Sequence, residues 1–231
     1  MQRKAEQLLL DLPHRIASGR DDFLVTPSNS AAVALVDQWP NWPSHGALIL
    51  GPESCGKSHL VEVWRQSSRA KIVSASQLRT DEIPKLLESG SLAMEDLQEN
   101  EFDERALFHA LNLAKQEAKF VLLTSRLSLE QLHLQIPDLN SRLKALPTVK
   151  ILPADDALLR GVLVKLFSDR QISVDESLIN YILVRMPRSL GAARKLVAEI
   201  DKRALTEKSE VNKSLVAKVI AIFETHDMFA R

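Results

Sequence analysis

The sequence predicts an α/β protein: a parallel five-stranded sheet flanked by helices carries a phosphate-binding loop, and a small all-helical domain follows it. Three observations predict this. Short apolar runs alternate with helix-length segments, one octapeptide has the form of a P-loop, and beyond Pro153 the apolar residues fall only at helical spacing.

Residues 1–20 are polar and leucine-studded and end in the loop-like Ala17-Ser18-Gly19-Arg20. From 21 to 153 the runs Ala47–Leu50, Lys71–Ser74, Ser91–Met94, Phe120–Leu123 and Thr148–Leu152 read as buried strands. Strands covered by helices on both faces are apolar throughout rather than alternating, which is what parallel pairing with helical crossovers produces. From 154 to 231 the stripes are helical. Leu158, Leu159, Val162, Leu163 and Leu166 form one; Leu178, Ile179, Ile182 and Leu183 a second. Leu190, Ala193, Leu196, Val197 and Ile200 form a third, and Leu215, Val216, Val219, Ile220 and Phe223 a fourth. The expected division is an N-terminal peptide (1–20), an α/β core (21–153) and a helical lid (154–231).

Composition excludes several classes. Thirty basic residues balance thirty acidic ones, so no surplus of cations exists to neutralise a DNA backbone, and little or no direct DNA binding is expected. Cys55 is the only cysteine, so no internal disulfide forms, and the six histidines lack ligand spacing for structural zinc. No run approaches the roughly 18 apolar residues of a membrane span. The N-terminal leucine run is broken by Asp11 and too short for a signal peptide, so the expectation is a cytoplasmic protein without membrane contact.

Gly51-Pro-Glu-Ser-Cys-Gly56-Lys57-Ser58 fits G-x-x-x-x-G-K-[ST], following the apolar Leu48-Ile-Leu50 and preceding a helical pattern with Leu60, Val61, Val63 and Trp64. The glycines let backbone N–H groups from Ser54 to His59 curl around phosphate oxygens, and the helix points its positive end at them. Lys57 supplies a cation for the outer phosphates and the Ser58 hydroxyl a ligand for Mg²⁺. ADP or ATP with Mg²⁺ is the expected cofactor. Cys55 reads as a small residue filling the loop, with no redox role.

A P-loop needs a second acidic element at a neighbouring strand tip to hold Mg²⁺ and orient water. Ser91-Leu-Ala-Met-Glu95-Asp96 offers one, Glu95 as the metal ligand and Asp96 beside it, although two carboxylates also cap strands in solvent. Phe120-Val-Leu-Leu-Thr124-Ser125-Arg126 places hydroxyls at another strand tip, where Thr124 is a candidate for sensing the outer phosphate or the attacking water. Arg142, in Asn140-Ser-Arg-Leu143, reads either as a surface ion pair or as a finger reaching a neighbour's nucleotide. Arg188, in Met186-Pro-Arg-Ser-Leu190, either folds onto the phosphates or is solvated, and Trp39 and Trp42 either cover the adenine side of the pocket or cap the core.

In this order, the P-loop, Glu95-Asp96, Phe108-His-Ala-Leu-Asn112, Leu123-Thr-Ser-Arg126, Leu139-Asn-Ser-Arg-Leu143 and Pro187-Arg-Ser-Leu190 resemble the AAA+ ATPases, and within them the DnaA family, over roughly residues 20–225. DnaA proteins carry a helix-turn-helix domain after the lid and a long N-terminal region. Here Arg231 closes the sequence and about 20 residues precede the core, so the expectation is a DnaA-like core without a DNA-binding domain, similar to the Hda-type regulators. Those begin with a sliding-clamp-binding peptide, and Gln7-Leu8-Leu9-Leu10-Asp11-Leu12 fits its Q-L-x-L-x-L form. Gln7 would bond at a pocket rim while Leu8, Leu10 and Leu12 supply the apolar anchors, each buried leucine contributing roughly 1.5–3 kcal/mol before ordering costs. Packing of these leucines on the protein's own core is the alternative.

The resemblance implies a regulator of chromosomal replication initiation, clamp-bound and nucleotide-bound. It would present Arg142 as an arginine finger to ATP held by DnaA, with Arg188 contacting its own nucleotide from the lid. DnaA and the β subunit of DNA polymerase III are the implied partners, and a homodimer is a further one. The family's acidic strand has Asp where this chain has Glu95. The longer side chain shifts a carboxylate in a strict Mg²⁺ shell, so intrinsic hydrolysis is expected to be weak or absent. The alternative is a self-contained DnaA-like ATPase, such as a helicase loader or transposition helper, for which the nine basic and four acidic residues from Arg185 to Lys218 offer modest support. A small-molecule kinase would need an acceptor-binding insertion that the stretch between the P-loop and Glu95 is too short to hold.

Overall fold

The computed structural model describes residues 23–225, so Gln7, Leu8, Leu10 and Leu12 lie outside the described residues. Along the chain come α1 (Ser30–Asp37), β1 (Gly46–Leu50), α2 (Lys57–Ser68), β2 (Lys71–Ser74), α3 (Ile83–Leu86), β3 (Ser91–Leu97), α4 (Glu104–Gln116), β4 (Phe120–Ser125), α5 (Pro137–Lys144) and β5 (Thr148–Lys150). There follow α6 (Asp156–Ser168), α7 (Glu176–Leu183), α8 (Leu190–Glu207) and α9 (Lys213–Thr225).

All five apolar runs are strands, every pair is parallel, and the order across the sheet is β2-β3-β4-β1-β5. β1 lies inside the sheet, with Ala47, Leu48 and Ile49 all fully buried. Its side chains alternate between two cores: Leu48 joins the cluster under α3, α4 and α5, whereas Ala47 and Ile49 join the one under α1 and α2. A strand with apolar layers on both faces has no polar side to show, which is why its sequence does not alternate.

Four strands differ from the expected runs: β1 starts one residue earlier at Gly46, β4 continues to Ser125, and the ends of β5 and β3 also shift. β5 stops at Lys150 rather than Leu152, because the Leu152 N–H leaves the ladder to bond the Ser28 carbonyl (2.9 Å). β3 does not end at the carboxylates but runs through them to Leu97, with a register shift between Met94 and Leu97 and Asp96 at φ 64°. That single left-handed residue is a bulge, and it re-aims the strand tip.

Beyond Ile151 the buried apolar residues from Ala154 to Phe223 form a cluster of their own, built by α6, α7, α8 and α9. Local chemistry fixes where these helices begin. The Asp155, Asp175 and Ser189 side chains accept the N–H groups of Leu158, Leu178 and Ala192, satisfying donors that a helix start leaves open. Trp39 and Trp42 pack into the α1–α2 core: Trp42 stacks on Trp64 with ring centroids 5.5 Å apart and donates to the Leu35 carbonyl (2.6 Å). They cap the sheet and do not line the cleft between core and lid. Among the described residues no helix is long and apolar enough to cross a membrane.

Candidate nucleotide site

The P-loop leaves β1 at the C-terminal edge of the sheet and turns into α2. A Cβ at Gly51 would lie 2.7 Å from Cys55 Sγ and 3.0 Å from the Ile151 carbonyl oxygen, so only glycine fits where the loop folds on itself. Ser54 (φ 55°) and Gly56 (φ 108°) take left-handed conformations, which curl the chain into a concave row of N–H groups facing an anion position. Lys57, the first residue of α2, is 8% exposed and donates to the carbonyls of Gly51 (2.7 Å) and Pro52 (2.8 Å). Burial pushes its ammonium below the usual lysine range, partly opposed by Cys55 and Asp96. Burial likewise pushes the Cys55 thiol up, against the pull of Lys57. A desolvated cation resting on two neutral carbonyls gains when an anion replaces them.

Beside the loop stands the tip of β3. Glu95 lies in register with Ser74, and its Oε1 is buried without a hydrogen-bond partner. Asp96 is held on several sides. Its N–H bonds Thr124 Oγ1 (3.0 Å), Arg126 reaches both carboxylate oxygens (Nε–Oδ1 3.0 Å, Nη2–Oδ2 3.1 Å), and Gln98 Nε2 adds a bond to Oδ2 (3.0 Å). The same guanidinium extends Nη1 to Glu53 Oε2 of the P-loop at 2.7 Å. Thr124 Oγ1 thus accepts from the Asp96 backbone and keeps its own O–H as a donor. Ser125 is fully buried and bonds the carbonyls of Leu97 and Leu127 (both 2.8 Å), which fixes the strand end rather than addressing a ligand.

These residues fit a hard cation. Glu95 offers an orphaned buried carboxylate oxygen and Ser58 an exposed hydroxyl in the first turn of α2, an oxygen donor set of the kind Mg²⁺ takes.

Between core and lid runs a cleft of about 50 Å³, lined among others by Phe23, Leu24, Asn29, His59, Leu190 and Arg194. The segment before α1 forms one wall. Asn29, 2% exposed, accepts from the Thr26 N–H (2.9 Å) and donates to the Leu24 carbonyl (2.9 Å), and Phe23 sets its ring edge-on to His59 with centroids 5.0 Å apart. The sequence reading missed this segment. A Ser-Asn pair between Phe23-Leu-Val and an alanine-rich helix was its one signal. The lid closes the other wall at the start of α8, where a Cβ on Gly191 would fall 2.5 Å from Ser54 Oγ and 2.9 Å from Ser54 Cβ.

The structure thus brings Gly51, Ser54, Cys55, Gly56, Lys57, Ser58, His59, Glu95, Asp96 and Thr124 to one edge of the sheet. Arg188 sits just outside α8 and pairs with Asp156 of α6 (2.9 Å), within the lid, both side chains largely exposed. Arg142 lies elsewhere. It occupies the last turn of α5, which feeds β5 from the opposite edge of the sheet and packs on the face away from α2. Its guanidinium rests over the Phe108 ring, 5.0 Å from the centroid, and among the described residues no carboxylate pairs with it.

No protein-family model matches the sequence. Among curated proteins, DnaA 1 of Chlamydia muridarum is 22% identical over 214 residues, covering 81% of this chain and 47% of that protein. DnaA 1 of Chlamydia trachomatis is 21% identical over the same length. The chain thus spans about half the length of the curated relatives it matches. Among solved structures, domain III of Thermotoga maritima DnaA superposes with a TM-score of 0.75 at 18% identity, covering 92% of this chain and 99% of that one. AMPPCP-bound DnaA from Aquifex aeolicus gives 0.67 at 18% identity (80% and 65% covered), and the Thermotoga maritima RuvB motor 0.70 at 16% (89% and 72%). The strand order, the loop and the helical lid are those of the AAA+ P-loop fold, and in sequence the chain is similar to DnaA proteins.

Proposed function

We propose that this protein is a nucleotide-holding regulator of replication initiation that lends Arg142 to ATP bound on DnaA and so drives the initiator toward its inactive, hydrolysed form, as Hda-type proteins do. The observation that carries the reading is the placement of Arg142, unpaired among the described residues and remote from its own P-loop. An arginine on that edge serves a nucleotide only on another molecule.

The protein's own site holds ADP or ATP. Lys57 leaves the Gly51 and Pro52 carbonyls for the phosphates, the loop amides and the start of α2 receive their charge, and the cleft beside Asn29 and His59 takes the base. The Aquifex relative is an AMPPCP complex, which supports a nucleotide in the corresponding place. Glu95 and Ser58 would hold Mg²⁺, which screens phosphate charge. The segment Gln7–Leu12 is proposed to bind the sliding clamp and bring the protein to replicated DNA.

Hydrolysis by DnaA–ATP in the presence of clamp and this protein tests the reading. An arginine finger supplied in trans accelerates comparable sites by roughly 10³–10⁵. Arg142→Ala should abolish the stimulation while ADP still binds to the variant, and alanine at Gln7, Leu10 and Leu12 should remove clamp binding. Equal stimulation by Arg142→Ala would sink the proposal. A second reading, a self-contained ATPase, is favoured by the open Glu95 oxygen and predicts fast turnover without DnaA.

A further inference from the structure

We propose that Arg126 is a positioning residue that restrains Asp96 and thereby holds this protein's own nucleotide hydrolysis down. The inference rests on reading the P-loop as a nucleotide site with Asp96 as its water-orienting carboxylate. It is independent of any role for Arg142.

An ionised carboxylate accepts at about four lone-pair positions. Three N–H donors already occupy Asp96: Arg126 Nε on Oδ1 at 3.0 Å, Arg126 Nη2 on Oδ2 at 3.1 Å, and Gln98 Nε2 on Oδ2 at 3.0 Å. The backbone that carries this side chain is fixed as well. Asp96 is the bulged residue at φ 64°, and its N–H is tied to Thr124 Oγ1, a buried oxygen on the neighbouring strand. The guanidinium is anchored from a third side by Glu53 Oε2 at 2.7 Å, so one cation joins the P-loop tip to the β3 tip. A carboxylate orients or deprotonates water through an oxygen that is free to accept from it. Asp96 in this clasp has little such capacity, and arginine does not lose its proton at any physiological pH. The guanidinium therefore stays charged, and removing it is what frees Asp96.

Sequence alone gave Arg126 no task beyond its place in the Thr-Ser-Arg tip. A guanidinium that served the outer phosphate would promote hydrolysis, and one that clasps the base opposes it. The two assignments differ in sign.

The test is single-turnover and steady-state ATP hydrolysis by the full chain, with ADP binding measured alongside. The variants are Arg126→Gln, Arg126→Lys and Arg126→Gln combined with Asp96→Asn. General-base assistance is worth typically 10²–10⁴-fold, so partial release of a half-exposed pair should raise kcat about tenfold in Arg126→Gln, without a matching fall in KM. Arg126→Lys keeps the charge but not the fork that spans both oxygens, and should also hydrolyse faster than wild type. The gain should vanish in the double variant, since it acts through Asp96. Unchanged or slower hydrolysis in Arg126→Gln overturns the proposal, as does a gain that survives Asp96→Asn. Bound ADP without any gain sinks the restraint alone. Failure of the wild type to bind ADP sinks the nucleotide reading and this inference with it.

Discussion

Gly191→Ala tests whether the lid seats directly on the phosphate loop. The added methyl would lie 2.5 Å from Ser54 Oγ and 2.9 Å from Ser54 Cβ. The hydroxyl can rotate away, but the Cβ is fixed to a loop backbone that is itself constrained by Gly51 and Gly56, so α8 or the loop must yield. Overpacking of this kind costs about 1–3 kcal/mol. Against it, alanine favours a helix over glycine by at most about 1 kcal/mol, and less in the first turn where this residue sits. The clash wins, and the substitution should destabilise the protein by roughly 1–2 kcal/mol. Ser54→Gly removes both offending atoms, and glycine accepts the φ of 55° at that position without strain. On that background only the helix term remains, so Gly191→Ala should become neutral or stabilising by a few tenths of a kcal/mol. The four proteins of this cycle, compared by urea unfolding and ADP affinity, read the coupling directly. The same sign and size of effect on both backgrounds would refute the contact and the closed position of the lid with it.

Two further outcomes follow from buried groups. Asn29→Ala leaves the Thr26 N–H and the Leu24 carbonyl without their partner at a 2% exposed position, which should cost about 1–3 kcal/mol in urea unfolding and weaken ADP binding as the cleft wall loosens. Cys55 is pushed up by burial, so the folded state holds its proton more tightly than the unfolded one. Its contribution to stability is therefore complete below the unfolded thiol value of about 8.5 and is lost as pH rises toward the raised folded value. The stability difference between wild type and Cys55→Ala should shift against wild type above about pH 8.5, and at pH 7.5 the native thiol should alkylate with iodoacetamide far more slowly than free cysteine. A pH-independent difference, or rapid alkylation of the native protein, contradicts the buried placement.

The sheet was legible because its chemistry is local. Leu48 and Ile49 face opposite cores, so the run stays apolar, and helix-length spacers allow only parallel crossovers. The P-loop was legible for the same reason: Gly51, Gly56, Lys57 and Ser58 are each demanded by backbone geometry or phosphate chemistry within eight positions. What sequence could not supply is which distant group a side chain meets. Thr124 was a candidate phosphate sensor, and its oxygen also accepts the N–H of a bulged Asp96 that the strand pattern gave no reason to expect. Arg188 was open between the phosphates and solvent, and its partner here is Asp156, an acid at the start of another lid helix.

The cations of the site show the same dependence on distant partners. A phosphate site gathers cations, and each of them has a partner within the protein. Lys57 takes two backbone carbonyls of its own loop, Arg126 takes Glu53 and Asp96, and Arg188 takes Asp156 at the lid. The partners differ in what they resist. Carbonyls are neutral acceptors that a phosphate outcompetes, whereas a carboxylate pair must be broken with both charges re-solvated. Lys57 is therefore the cation the nucleotide recruits most readily, and Arg126, with two carboxylates, is the one it recruits least. That ordering is what makes the arginine suited to holding Asp96 still while a nucleotide binds.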